Sequence, residues 1–159
     1  MKIKLKLVNA RKLLKERNFE NALKVYSCIL DEYSNHQESK KQIKKILFLT
    51  KNIISKDSLE GKDINFLEET KIQKKYFTLY FFTKQLIKKF PNEFILYNYL
   101  SYAEININKN EQALISIEKS LELNSKNYQT NFQYVNILFS LGLFTKAEKY
   151  LKILSRVLK

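Results

Sequence analysis

Three stretches of the chain share one pattern of residues: FENALKVYSCIL (19–30), NEQALISIEKSL (110–121) and FTKAEKYLKILS (144–155). In each of them the fourth residue is alanine, and apolar residues recur at three- and four-residue spacing. That spacing predicts an amphipathic helix that buries one face. Ala113 and Ala147 are separated by about 34 residues, an interval typical of one class of helical repeat. The last two stretches therefore predict two consecutive units of such a repeat.

The same spacing continues through most of the chain, which contains only two Gly and one Pro. Because Gly and Pro are the residues that most often interrupt helices, we expect an all-α fold of about eight helices. The predicted helices are 3–17, 19–33, 36–55, 66–90, 92–108, 110–123, 127–141 and 144–158. The longest predicted loop, 56–65, leads into a helix that begins at a capping box of Asn65 and Glu68.

A 34-residue helix–turn–helix unit with a small residue early in its second helix resembles the tetratricopeptide repeat (TPR) family. The matching positions are Tyr97, Leu100, Ser101, Ala113 and Ile117 in 93–126, Asn131, Tyr134, Val135, Ala147 and Leu151 in 127–159, and Lys6, Asn9, Ala10, Ala22 and Tyr26 in 3–35. The resemblance is clearest over 91–159 and weak over 36–90, since the interval from Ala22 to Leu79 is not a multiple of the repeat length. It implies antiparallel helical hairpins stacked as a short right-handed solenoid, in one domain spanning 1–159 with 36–90 as an irregular unit.

The resemblance also implies a concave groove, built from the first helix of each unit, that binds a peptide segment or a protein partner. The residues expected in this groove are Arg11, Lys15, Asn98, Tyr102, Asn106, Gln129, Gln133 and Asn136. Asn and Gln side chains can pair with both the N–H and the C=O of an extended peptide, and nearby cations favour a partner with an acidic segment. The expected function is that of a non-enzymatic scaffold or adaptor, and the alternative is that these residues are merely exposed and polar.

The charge leaves a second function open. The chain has 29 Lys and Arg against 16 Asp and Glu, a net charge of +13, with +11 in 1–90 and +2 in 91–159. Such an excess is typical of a nucleic-acid- or ribosome-associated protein. Only three of these residues are Arg, however, and Lys is enriched by A/T-rich codons without selection for phosphate contacts. A third alternative is a stand-alone relative of the repeats that precede bacterial transferase domains.

Residues for catalysis or metal binding are few. Cys28 is the only cysteine and His36 the only histidine, so we expect no catalytic residue, no cofactor and no metal site. No apolar run, such as YFTLYFFT (76–83), is long enough to span a membrane, and a cytoplasmic protein is expected. A further expectation is self-association through the C-terminal helix, where Leu154, Val157 and Leu158 are apolar.

Overall fold

The computed structural model describes residues 2–49 and 58–157, and its side chains over 3–49 and 58–156. Within those ranges the chain is all-α and contains no strand, which confirms the predicted fold class. The described helices are α1 (Lys2–Lys15), α2 (Phe19–Glu32), α3 (Gln37–Leu49), α4 (Gly61–Ile72), α5 (Tyr76–Lys89), α6 (Phe94–Asn106), α7 (Asn110–Leu123), α8 (Tyr128–Ser140) and α9 (Phe144–Val157). Consecutive helices pack together in pairs, α1 with α2, α4 with α5, α6 with α7 and α8 with α9, which is consistent with helical repeats.

Two predicted boundaries are wrong in the middle of the chain. The predicted helix 66–90 is two helices, α4 and α5, and 61–65 belongs to α4 rather than to a loop. The reason for the early start is local: the backbone N–H of Glu60 donates to the carboxylate of Asp63 at 3.1 Å, one half of a capping box that lies ahead of the expected one. The predicted helix 36–55 is described as far as Leu49, and 50–55 lie outside the described residues.

Four turns with the same backbone geometry organise the described helices into hairpins. Arg17, Lys74, Asn108 and Gly142 all have positive φ angles, of 55°, 55°, 60° and 70°, and each lies two residues before the second helix of a hairpin. The residue after each of them donates its backbone N–H across the end of the first helix, over 2.8 to 3.0 Å, to a carbonyl five residues earlier. This is the Schellman arrangement that ends many helices. The hairpins are therefore α1–α2, α4–α5, α6–α7 and α8–α9.

The hairpin turns show the repeat more clearly than the side chains do. The last three turns are evenly spaced at one repeat length, and the longer interval between the first two contains α3 as an additional helix. The fourth residue of each second helix is fully buried, and these residues are Ala22, Leu79, Ala113 and Ala147. A small side chain at this position allows two helices to cross closely. The hairpin α4–α5, which carries Leu79 there, is the one that the alanine pattern missed.

The two glycines allow the turn geometry to be tested. A Cβ added at Gly61 or at Gly142 meets no atom within 4 Å, but only Gly142 has a positive φ. We expect Gly142→Ala to lower the free energy of unfolding by about 1 kcal/mol, because L-residues are strained in this region. Gly61→Ala, in the first turn of α4, is expected to raise it by about 0.5 kcal/mol. Urea unfolding followed by circular dichroism measures both, and equal effects of the two variants would contradict the assigned turn.

The chain divides into two compact units, Met1–Pro91 and Asn92–Lys159, which are described separately. In the first unit, α2 is central and packs against α1, α3 and α5. Its Asp31 accepts hydrogen bonds at the start of α5, from the N–H of Phe77 at 2.6 Å and from the N–H and hydroxyl of Thr78 at 3.3 and 2.7 Å. The cap of α5 is thus supplied by another helix, since Lys75 in the capping position offers none.

In the second unit, α6 packs against α7, and α8 packs against α6, α7 and α9. Ile117 of α7 belongs to a core between α7, α8 and α9, whose buried members are Ile117, Tyr134, Ile137, Leu138 and Ala147. The hairpin α8–α9 therefore stacks on the hairpin α6–α7 within this unit. Of the apolar residues expected at a C-terminal association surface, Leu154 is half-buried, and the side chains of Val157 and Leu158 lie outside the described residues.

Candidate partner-binding site

A cleft opens in the first unit beside the turn between α1 and α2. One wall belongs to α3, where Gln42, Lys45, Ile46 and Leu49 follow the i, i+3, i+4, i+7 spacing of a single helix face. The other wall is formed by the end of α1, the turn and the start of α2, which contribute Leu14, Lys15, Arg17 and Phe19. The cavity has a volume of about 430 Å³, within the range of small-molecule and peptide side-chain sites.

The cleft combines a cationic rim with an apolar interior. Lys15, Arg17 and Lys45 are exposed, and among the described residues none of them has an ion-pair or side-chain hydrogen-bond partner. None of the described residues that line the cleft is acidic, while Ile46 is buried at its base and Phe19 is half-buried. Such a site can bind an anionic group that is attached to an apolar one, because the cations and the apolar floor each complement one part of the ligand.

Lys15 is the one predicted groove residue that lines this cleft, whereas Arg11 is engaged elsewhere. The Arg11 guanidinium makes a two-pronged contact with Glu38, at 2.9 Å from Nε to Oε1 and 2.8 Å from Nη2 to Oε2. This hydrogen-bonded pair lowers the pKa of Glu38 and raises that of Arg11. Arg11 therefore links α1 to α3 in the described structure, and a partner carboxylate would have to displace Glu38 to bind it.

Asn98 and Gln133 lie between helices of the second unit. The Asn98 side-chain amide donates to the Thr130 hydroxyl at 2.9 Å, and Asn98 is buried. Gln133 donates to the Asn98 carbonyl at 2.8 Å and to the Ser101 hydroxyl at 2.6 Å. These two amides thus join α6 to α8 through their donor groups, while the buried Asn98 Oδ1 has no hydrogen-bond partner among the described residues.

The remaining predicted residues share one face of the second unit. Tyr102 on α6 and Asn136 on α8 are one repeat length apart, at equivalent positions of two helices that pack together. Asn106 and Gln129 lie one or two turns along the same helix faces and, like Asn136, are exposed. The Asn106 amide donates to the Tyr102 carbonyl at 2.8 Å. The side-chain amides of Gln129 and Asn136 have no hydrogen-bond partner among the described residues and remain available on this face.

The sequence pattern missed Arg17, Gln42, Lys45 and Leu49 as possible binding residues. The face of α3 that bears the last three is visible as an i, i+3, i+4, i+7 series, but nothing in the series says which helix it meets. Arg17 lies in a turn whose positive φ places it beside that face. Only the packing of α3 against the first hairpin makes these residues neighbours.

Cys28 and His36 have separate local contacts. The Lys6 ammonium lies 3.8 Å from the Cys28 thiol, and its hydrogen bond with Glu32 raises the pKa of Lys6. The His36 ring nitrogen Nδ1 lies 2.9 Å from the Ser39 hydroxyl and accepts from the Ser39 N–H at the start of α3. Within the described ranges no group of three or more His, Cys, Asp or Glu side chains is arranged to hold a metal ion.

None of the helices described has both the length and the apolar content needed to cross a bilayer. No protein-family model, curated protein or solved structure matches this chain.

Proposed function

We propose that this protein is a non-enzymatic, TPR-like scaffold that binds a peptide segment or a protein partner carrying acidic residues beside an apolar one. The observation that carries the proposal is the cleft of the first unit, where three cations without an ionic partner among the described residues surround an apolar floor. The exposed amides of Asn106, Gln129 and Asn136 offer a second contact face for an extended peptide backbone. With a single cysteine in this chain, the cytoplasm is the compartment we infer.

The cleft explains the preferred chemistry of the partner. Exposed ion pairs contribute about 0.2 to 1 kcal/mol each, so three of them steer and orient a peptide more than they hold it. Burying the adjacent apolar side chain adds free energy at about 25 cal/mol per Å² of apolar surface. A short peptide that uses both is expected to bind in the micromolar range, about −8 kcal/mol.

A charge-reversal experiment tests this proposal. The probe is a fluorescein-labelled dodecapeptide in which Glu alternates with Leu and Phe, and its Gln counterpart is the neutral control. We expect the triple variant Lys15→Glu, Arg17→Glu, Lys45→Glu to weaken binding of the Glu peptide at least about tenfold, because cation contacts become repulsive. Fluorescence anisotropy at about 50 and 300 mM NaCl measures this affinity and its dependence on salt.

A matched variant distinguishes the effect of the cleft on peptide binding from the effect of the total charge. Lys4→Glu, Lys88→Glu, Lys126→Glu changes the net charge by the same amount at exposed lysines outside the cleft. The proposal requires this variant to retain binding within about twofold of the wild type. Equal losses in the two triple variants would show that only the bulk charge matters, and the cleft would then not be the site.

The nucleic-acid alternative has one specific observation in its favour. Lys41, Lys44, Lys45 and Phe48 occupy one exposed face of α3, with Phe48 the most exposed large apolar side chain described. Aromatic rings between lysines can stack on the bases of single strands. A labelled single-stranded dodecanucleotide in the same anisotropy assay decides between the two functions: tighter binding than the Glu peptide, with a steep loss as salt rises, would favour nucleic acid.

A further inference from the structure

Two partly exposed side chains bridge the walls of the basic cleft at one end. On α3, Glu38 lies one helical turn before Gln42, the first cleft residue of that helix, and on the same face. On α1, Arg11 lies one turn before Lys15, which belongs to the opposite wall. The Arg11 guanidinium and the Glu38 carboxylate meet between the two helices in their two-pronged contact. The pair therefore closes the cleft toward the start of α3.

This contact ties α3 to α1 through charge rather than through packing. α3 packs against α2, and no comparable packing joins α3 to α1 among the described helices. The side chain of Arg11 is 56% exposed and that of Glu38 is 30% exposed, so both are open to competitors. Exposed ion pairs contribute little free energy, and exchange of one carboxylate for another conserves the two-pronged contact. A carboxylate from outside can therefore replace Glu38 at small cost.

A buried hydroxyl near this pair lacks a hydrogen-bond partner. Tyr26 of α2 is 0% exposed, and its hydroxyl oxygen makes no hydrogen bond to any of the described residues. Burial raises the pKa of Tyr26, the charge of Glu38 raises it further and that of Arg11 lowers it, so the phenol lies within electrostatic range of both. Buried polar groups without a partner are uncommon, since their lost hydration is not replaced. One hydrogen-bonding group thus remains unused near a bound carboxylate.

Glu38 fits this place only in part. Its carboxylate accepts from Arg11 but not from the Tyr26 hydroxyl. Because Glu38 belongs to the first turn of α3, the position of that helix limits where its carboxylate can lie. A carboxylate on a partner in the cleft is not tethered in this way and can accept from the guanidinium and the phenol together. An external carboxylate is therefore the better ligand.

We propose that Arg11 and Tyr26 form a second carboxylate-binding subsite of the cleft, which Glu38 occupies until an acidic side chain of the partner displaces it. Glu38 acts as an internal competitor and selects partners with two acidic positions, one for the three cations of the cleft and one for Arg11. A partner with a single acidic residue leaves Glu38 in place. Because this partner is the acidic peptide of the proposed function, the inference rests on that function.

The test measures the affinity of the full chain for the labelled Glu dodecapeptide and its Gln counterpart by fluorescence anisotropy. Glu38→Gln removes the competing charge, and we expect the Glu peptide to bind about threefold more tightly. The matched control is Glu20→Gln, which removes the same charge from an exposed ion pair with Lys24 outside the cleft. This control is expected to keep the affinity of the wild type within about 1.5-fold.

Two further variants, each made in the Glu38→Gln protein, test the subsite itself. Arg11→Lys keeps the positive charge but loses the planar fork, and it is expected to weaken binding of the Glu peptide about threefold. Tyr26→Phe keeps the buried ring and removes only the hydroxyl, and it is expected to weaken binding by about the same factor. A purely structural hydroxyl would leave the affinity unchanged. Circular dichroism of each variant establishes that the fold is kept.

The Arg11 side chain also provides a readout that does not depend on affinity. The chain contains only three Arg, so labelling with ¹⁵N-arginine gives three Nε signals in nuclear magnetic resonance, and the signal lost in Arg11→Lys is that of Arg11. Saturation with the Glu peptide is expected to shift this signal in the wild type, because the Nε–H then donates to a different carboxylate. The Gln peptide is expected to leave it unchanged.

Three results would overturn the inference and leave the cleft intact. They are equal affinity of the wild type and Glu38→Gln for the Glu peptide, no effect of Tyr26→Phe, and an unchanged Arg11 signal at saturation, each while the triple variant of the cleft still loses binding. Equal losses in the two triple variants would instead reject the cleft, and this subsite with it. Failure of the subsite and failure of the proposed function therefore give different results.

Discussion

Replacing Ile117 by alanine is expected to lower the free energy of unfolding of the second unit by about 3 kcal/mol. Ile117 is fully buried and belongs to the same core cluster as Tyr134, Leu138 and Ala147, between two hairpins. Truncation removes apolar contacts and leaves a cavity among helices that cannot fully collapse, and such changes cost about 2 to 5 kcal/mol. Urea unfolding measures the loss, and hydrogen exchange locates it in residues 92–159.

The repeat provides the matched control for this prediction. Leu151 occupies the equivalent position of the last hairpin but is exposed, so Leu151→Ala is expected to cost less than about 1 kcal/mol. The contrast tests burial alone, since each residue is the eighth of the second helix of its hairpin. Similar losses in the two variants would mean that the face carrying Leu151 is covered in solution.

Removal of the Asp31 carboxylate is expected to have the second-largest effect on stability. Asp31→Ala takes the acceptor away from the N–H of Phe77 and from the N–H and hydroxyl of Thr78, at the start of α5. A lost helix cap costs about 1 kcal/mol, and each donor left buried without a partner costs about 1 to 3 kcal/mol. We therefore expect a loss of about 2 to 3 kcal/mol in urea unfolding, centred on α2 and α5 in hydrogen exchange.

The variant Asp31→Asn distinguishes the contribution of the hydrogen bonds to stability from the contribution of the charge. An amide oxygen still accepts from the start of α5, so the loss at neutral pH is expected to be about 1 kcal/mol or less. An equally large loss in the Asn and Ala variants would show that the negative charge itself stabilises α5.

The difference in stability between the wild type and Asp31→Asn is expected to depend on pH with a definite sign. Burial raises the pKa of Asp31 above its ordinary 3.8, although the hydrogen bonds from Thr78 and Phe77 oppose this. Folding therefore favours the protonated carboxyl, and this contribution is fully present below pH 3.8 and is lost as the pH rises through the higher native pKa. The stability of the wild type relative to Asp31→Asn is thus expected to decrease as the pH is raised. Paired urea unfolding between about pH 3 and about pH 7 measures this difference, and an increase with pH would contradict it.

The second hairpin shows why part of the fold could not be predicted. Its turn contains Lys74 rather than Gly or Asn, so no residue type signals a positive φ between α4 and α5. The fourth residue of its second helix is Leu79, and the alanine pattern that reveals the other three hairpins does not extend to it. The turn nevertheless has the same geometry, because the backbone hydrogen bond from Lys75 to Thr70 ends α4 in the same way as in the other hairpins.

The residues of the candidate site could likewise be predicted only in part from the sequence. Asn98 and Gln133 are predicted as groove amides because they are polar residues on the first helix of a repeat, yet their donor groups join α6 to α8. The position of Lys15 in the repeat predicts it as a groove residue, and Lys15 lines the cleft, but no pattern predicts its neighbours Arg17 and Lys45. Periodicity indicates which side of one helix is apolar, and it carries no information on which polar side chains meet across two helices.

The all-α fold, the repeat period that separates Ala113 from Ala147 and the basic excess of residues 1–90 all follow from the amino-acid sequence alone. These are properties of single helices and of composition, so local spacing suffices to establish them. Helix packing reveals three further features, which are the second hairpin, the basic cleft and the contrast between buried Ile117 and exposed Leu151. The physical reason is that burial and charge complementarity depend on which helices pack together, and side chains at equivalent repeat positions meet different neighbours.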